Sequence, residues 1–177
     1  NSQIGVPLSL LMTAGDEQIA VIEAGISRKG EMQSLERIVR PDIGIITNIG
    51  DAHQENFDTP EEKAEEKLNL FAHTPTIIYN ARYPDRQLIA VDASRCDLNG
   101  LPYPDAASRE NAAEALTLYG VMGYDMSQVR GGLRSLQNVA MRLELKDGIN
   151  GCKIVNDSYN SDINSLGIAL EYLSSVG

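Results

Sequence analysis

The sequence predicts an α/β fold, a mostly parallel sheet with flanking helices, and two observations predict it. Short apolar runs such as Ile43-Gly44-Ile45-Ile46 and Ile77-Ile78-Tyr79 lack the polar alternation of a half-solvated strand, so they read as strands covered on both faces. Between such runs lie segments with helical periodicity and helix start signals, giving strands that alternate with helices. In these sheets ligands gather beyond the carboxyl ends of the strands. That rule directs attention to Glu23, to Asn48 through His53, and to Asp157 through Asn160.

Taken in order, Ile4 to Leu11 is apolar, with Pro7 interrupting any long regular helix. Ile19 to Ile22 reads as a strand that ends at Glu23-Ala24-Gly25. A helix over Glu31–Val39 carries Met32, Leu35, Ile38 and Val39 on one stripe, and Pro41 follows it. Ile43 to Asn48 is a second strand. Thr59-Pro60-Glu61-Glu62 is a capping box with Pro at the first helical position, opening a helix that runs to about Phe71. Thr76–Tyr79 and Leu88–Val91 are further strands. Helices are expected over Arg109–Tyr119 and Ser127–Leu136, a strand over Cys152–Asn156, and a helix over Ser165–Leu173. The stretch from Ser94 to Asp105, rich in Asn, Gly, Pro and Asp, reads as loop.

The chain has 177 residues, enough for one domain or for one domain and the start of another. Its net charge is −10, with no Lys/Arg run and no Trp, which argues against a nucleic-acid surface. Anionic nucleotides remain possible ligands, because backbone amides, a few basic groups and Mg²⁺ bind them locally. No apolar run approaches the roughly 20 residues of a membrane span. Cys96 and Cys152 are isolated and lack metal-ligand spacing. The cytoplasm is the expected compartment.

Several residues suit chemistry. Glu23 closes an apolar strand, where a carboxylate can serve Mg²⁺ alongside water and phosphate oxygens; a solvated strand-end charge is the plain alternative. His53, just beyond the second strand, is either a metal ligand or acid–base group or a surface loop residue. Lys67 borders the inward stripe of its helix, set by Ala64, Leu68 and Phe71. A partly buried lysine has a depressed pKa, and its neutral amine can add CO₂ to give an anionic carbamate. Otherwise it is one charge on a solvated helix. Gly25-Ile26-Ser27-Arg28-Lys29-Gly30-Glu31-Met32 begins like a Walker A loop, but Glu31-Met32 stands where Lys-Ser/Thr is required. Asn156-Asp157-Ser158-Tyr159-Asn160 places an acid between a strand and a helix, a ribose-binding position or a simple Asx turn.

These residues fall, in order, into segments that together resemble the Mur ligase family of peptidoglycan synthesis, in particular its branch that adds D-Ala-D-Ala. They are Asn1 to Leu11, Ala20 to Gly25, Thr47 through Phe57, Glu66 to Phe71, Met141 to Glu144 and Ile154 to Asn160, spanning nearly the whole chain. The resemblance implies that Glu23 and His53 hold Mg²⁺ and that Lys67 is a carbamylated lysine near a second metal, with His53 and Lys67 as catalytic residues. It places Asn111 by the adenine of ATP, Arg142 by the phosphates and Asp157 by the ribose, with Asn1 and Asn160 as substrate contacts. The implied reaction joins D-Ala-D-Ala to UDP-MurNAc-tripeptide through an acyl phosphate. Residues 1–140 would be part of a P-loop-type central domain, and 141–177 the truncated start of a Rossmann-like C-terminal domain.

The pattern is also broken in places. Glu114 replaces the family's second Asn in the adenine segment, and the chain between Val91 and Ala107 is short. No phosphate-binding loop occurs in the chain, so these 177 residues alone are expected to be inactive. The wording around Glu23 to Ser27 and His53 to Phe57 resembles ligases fused to an alanine racemase. The alternatives are a non-catalytic ligase-like assembly module within a fusion protein, another Mur ligase, or a folylpolyglutamate-type ligase.

Overall fold

The computed structural model describes residues 2–50, 53–80, 89–91, 97–101, 103, 105–136, 139–159 and 162–176. The chain divides into two compact units, Asn1–Val91 and Asp92–Gly177. The division by packing therefore falls before the expected domain boundary at 140/141.

In the first unit the order is α1 (Gly5–Leu11), α2 (Glu31–Val39), β1 (Ile43–Ile46), α3 (Pro60–Asn69), β2 (Thr76–Asn80) and β3 (Ile89–Val91). The strands form one parallel sheet in the order β1-β2-β3, with Ile43 opposite Thr76 and Ile78 opposite Ile89. Parallel neighbours need a crossover, and α3 is the crossover from β1 to β2. The central strand shows why its apolar run is continuous: Ile77, Ile78 and Tyr79 are all buried, so both faces are covered. The parallel α/β arrangement read from the sequence is the one observed.

Local chemistry sets the helix ends. Pro7 sits in the first turn of α1, where no intrahelical N–H bond is lost. Thr59 Oγ1 accepts from Glu62 N, and the Glu62 carboxylate accepts from Asp58 N, one residue before the cap. Met32 and Leu35 are buried and Val39 packs on the same core, but Ile38 is 50% exposed. Ile38 lies about 100° around the helix from Val39, off the stripe to which the sequence reading assigned it. Val6, Ile26, Met32, Leu35, Phe57 and Leu70 form one cluster, while Ile46, Ile77 and Tyr79 form another that Phe71 joins. Gly44 makes the second cluster possible: a Cβ there would lie 2.6 Å from the Phe71 ring.

The strand expected at Ile19–Ile22 does not form. The alternation of a strand survives nearby, with Ile22, Ala24 and Ile26 turned inward and Val21, Glu23 and Gly25 exposed. A strand, however, exists only through its ladder, and no described strand pairs with this segment.

The second unit contains α4 (Ala106–Val121), α5 (Met126–Arg134), β4 (Glu144–Asp147), β5 (Lys153–Asn156) and α6 (Ile163–Val176). Asp105 accepts from Ser108 N and starts α4 three residues earlier than the periodicity suggests. Asp125 accepts from Ser127 N at the start of α5. Leu98, Ala112, Leu116 and Leu133 form the local core. β4 pairs antiparallel with β5, and the sequence reading missed it. Glu144-Leu145-Lys146-Asp147 is charged and largely exposed, so it shows no apolar run. Its only signals are the turn pairs Asp147-Gly148 and Asn150-Gly151 before β5.

Candidate functional site

In the first unit the chemistry gathers where β1 ends. The chain leaves β1 through Thr47 to Gly50, and His53 then adopts a left-handed conformation, φ 63°. Its imidazole is exposed, with Nδ1 3.8 Å from Glu55 Oε1. Two lysines one turn apart on α3 reach back to this exit. Lys67 Nζ donates to the Asn48 carbonyl over 2.7 Å, and Lys63 Nζ donates to the Gly50 carbonyl over 2.6 Å. Lys63 is 1% exposed and Lys67 is half-buried. Burial, and then the charge of Lys63, hold the Lys67 ammonium below the usual lysine pKa. Lys67 thus has the inward placement expected of it. Lys63 was missed, because a lysine among Glu61, Glu62, Glu65 and Glu66 reads as solvated.

Glu23 is exposed on the segment that failed to become a strand, so it does not leave a strand neighbouring β1 as expected. Among the described residues no three His, Cys, Asp or Glu side chains form a metal-binding group. The Walker-like stretch Gly25 to Met32 is closed to phosphate by two carboxylates, Glu31 within it and Glu66 of α3. Glu31 Oε2 accepts from Ser27 N and Arg28 N at 2.7 and 3.0 Å. Glu66 Oε1 accepts from Gly30 N and Met32 N at 2.8 and 3.2 Å. Four amides that could have met an anion at the start of α2 face two carboxylates instead. A polar cleft lined by Glu36, Arg37, Arg40 and His73 lies near the beginnings of β1 and β2, away from these loops.

In the second unit the hairpin builds a compact polar site. Arg142 sits between Met141 and Leu143, both left-handed at φ 60° and 44°. Its guanidinium lies over the Tyr159 ring, with Cζ 4.4 Å from the centroid. Leu143 N donates to Asp157 Oδ1 over 3.0 Å, and Tyr159 N donates to the Met141 carbonyl over 3.2 Å. Glu144 Oε2 accepts from Met141 N and from Asn156 Nδ2. Arg142 and Asp157, named from the sequence, are therefore held together by the backbone between them. Asn111 is exposed on α4, and Glu114, one turn on, is 2% exposed with both oxygens lacking a hydrogen bond. Burial pushes the Glu114 carboxyl up to about 7, with Glu110 adding to the shift. Asn1 and Asn160 lie outside the described residues.

Comparison with known proteins adds independent findings. The Mur ligase middle domain matches residues 1–118. The UDP-N-acetylmuramoyl-tripeptide–D-alanyl-D-alanine ligase of Bacillus subtilis is 29% identical over 99% of this chain and 46% of its own length. The Escherichia coli protein of the same name is 25% identical over 98% of this chain and 47% of its own. The chain thus spans about half the length of these relatives. Among solved structures, MurF from Acinetobacter baumannii superposes with a TM-score of 0.82 at 22% identity, covering 97% of this chain and 46% of that one. MurF from Thermotoga maritima in complex with ADP gives 0.78 at 23%, covering 97% and 48%. At these identities the superpositions establish the fold alone. The middle-domain match, over two thirds of the residues, places the chain in the Mur ligase family.

Proposed function

We propose that this chain is the middle portion of a cytoplasmic, ATP-dependent amide ligase that joins D-Ala-D-Ala to UDP-MurNAc-tripeptide. One observation carries the reading: relatives bearing that name align along 98–99% of the chain, a stretch that includes Glu23, His53, Lys67, Arg142 and Asp157. The tripeptide carboxylate attacks the γ-phosphorus of ATP, and ADP leaves as an acyl phosphate forms. The amine of D-Ala-D-Ala then attacks the acyl carbon and loses a proton. The tetrahedral intermediate expels phosphate, leaving the amide. Both steps bring anions together, so positioned positive charge is what they require.

Arg142 is preorganised for this work, because Tyr159 and the two left-handed neighbours fix its direction. In our reading it meets the phosphates. Asp157 spends Oδ1 on Leu143 N, leaving Oδ2 to accept a ribose hydroxyl, while Asn111 faces the adenine. Asn1 and Asn160 contact substrate. Residues 1–140 then form the partial central domain and 141–177 the start of the C-terminal one.

Mg²⁺ takes one or two carboxylates and otherwise keeps water and phosphate oxygens, so it needs no protein cage. Glu23, an exposed carboxylate, fits that demand, and Lys67 fits once its depressed amine carries CO₂ and offers oxygens, while exposed His53 would add a nitrogen donor. Glu23 and His53 would hold it, with the Lys67 carbamate beside a second Mg²⁺. Bound there, Mg²⁺ would neutralise charge on the reacting phosphate oxygens.

The test is phosphate release by the full-length protein with MgATP and UDP-MurNAc-tripeptide, with and without D-Ala-D-Ala. Release that requires the dipeptide supports the reading, and release with a different acceptor points to another Mur or folylpolyglutamate-type ligase. A folded protein that releases none with any acceptor is a non-catalytic module. The replacement of the family's Asn by Glu114 is the feature that favours that second reading.

A further inference from the structure

The most unusual side chain in the first unit is Lys63. Its ammonium-bearing chain is 1% exposed, inside a helix whose other charged residues mostly reach solvent. Burying a lysine is costly unless its charge is met, and Lys67, one turn away on the same face, adds a like charge at the i,i+4 spacing that helices disfavour. Among its interactions Lys63 gives a 2.6 Å hydrogen bond from Nζ to the Gly50 carbonyl, thirteen residues back along the chain. Lys67 makes the matching bond to the Asn48 carbonyl. Two carbonyls on alternate residues are thus gripped from one helix, just before the chain turns through His53.

We propose that Lys63 is a positioning residue that fixes the backbone leaving β1 at Gly50, and so sets where the His53 imidazole is presented. Lys63 acts through the backbone and touches neither substrate nor metal. A charged donor suits the acceptor, a main-chain carbonyl beyond the end of β1 that pairs with no described strand, because a hydrogen bond from an ionised group is the stronger one. The catalytic consequence rests on the proposed ligase reading, in which His53 is a metal ligand; the structural consequence does not.

Two variants of the intact protein separate these. In Lys63→Met the apolar stem is kept and the donor is lost; in Lys63→Arg charge and donor are kept. Hydrogen exchange is followed by mass spectrometry over residues 47–57 and, as a control, over α2. Lys63→Met is expected to speed exchange in the 47–57 loop by on the order of tenfold, the size of one lost charge-assisted hydrogen bond, with α2 unchanged. Lys63→Arg is expected to restore at least part of the protection. In turnover, Lys63→Met should lower kcat while the KM for the dipeptide stays put, and should raise the Mg²⁺ concentration needed for half-maximal rate.

Unchanged loop exchange in Lys63→Met overturns the proposal, as does equal loosening of loop and α2, which marks a general packing role. Failure of Lys63→Arg to recover any protection also overturns it. If the unmodified protein shows no ligase turnover, the functional reading has failed, and the exchange comparison still decides the role of Lys63.

Discussion

Glu66 of α3 accepts a hydrogen bond from the backbone N–H of Met32, 34 residues earlier, and so caps a helix to which it does not belong. The same oxygen accepts from Gly30 N, and Oε2 takes the Asn69 amide. The carboxylate is 9% exposed, so these bonds replace its solvation. Its negative charge also lies at the positive end of α2. Glu66→Ala would leave buried amides without partners. We expect a loss of about 2–3 kcal/mol, the range for hydrogen bonds to a buried charge, read from urea unfolding. A loss under about 0.5 kcal/mol would be the value of an exposed pair and would refute the capping role.

Lys67 is the residue where chemistry and stability part. Its amine is disfavoured as an ammonium by burial and by Lys63, which offsets the bond it gives to the Asn48 carbonyl, so Lys67→Met should change stability by less than about 1 kcal/mol. If Lys67 serves the metal as proposed, turnover by the full-length protein should fall by roughly a hundredfold. If the active form is the carbamate, unmodified protein in CO₂-depleted buffer should lose rate and regain it on adding bicarbonate, while Lys67→Met should not respond. Full activity in CO₂-free buffer would rule the carbamate out.

Glu114 sets a pH dependence in the second unit. Its folded pKa is about 7 against an ordinary 4.5. The folded state therefore binds this proton more tightly than the unfolded chain. The associated stability is fully present below about pH 4.5 and is lost as pH rises through 7. Glu114→Gln removes the ionisation while keeping the size. It should gain on the unmodified chain between pH 5 and pH 8 by up to about 3 kcal/mol, the free energy equivalent of the shift. Parallel stability curves for the two proteins across that range would show that Glu114 ionises freely in the fold.

Much of the fold was legible because its signals are local. β1 and β2 announce themselves as apolar runs, and the Thr59 cap and the stripe of Met32 and Leu35 define α3 and α2. The segment around Ile22 was misread because its alternation is that of a strand, while a ladder depends on what lies beside it. β4 was missed because its charged residues are an exposed edge. The site divides in the same way. Arg142 and Asp157 stood out by motif, but the bond from Leu143 N to Asp157 Oδ1 sits in a turn with left-handed Met141 and Leu143, which no local preference predicts. Lys63 and Glu66 were hidden for a related reason. In a run of charges, the ones that turn inward are chosen by carbonyls and amides more than ten residues away.

Tyr159 offers a test of whether Arg142 is held for a purpose. The ring lies under the guanidinium at 4.4 Å, and Tyr159 N ties the same turn to Met141. The backbone bond survives any substitution, so changing the side chain isolates the stacking. An exposed cation–π contact of this kind contributes about 0.5–1 kcal/mol. If Arg142 meets ATP phosphates, Tyr159→Ala frees it to roam and should raise the KM for ATP by roughly two- to fivefold, with little change in thermal stability. Tyr159→Phe keeps the ring and should behave as the unmodified protein does. Should Phe and Ala weaken ATP equally, the hydroxyl rather than the ring face is what matters, and the stacking role is wrong. Should neither change the KM, Arg142 does not act on the nucleotide, and the hairpin serves only to hold the second unit together.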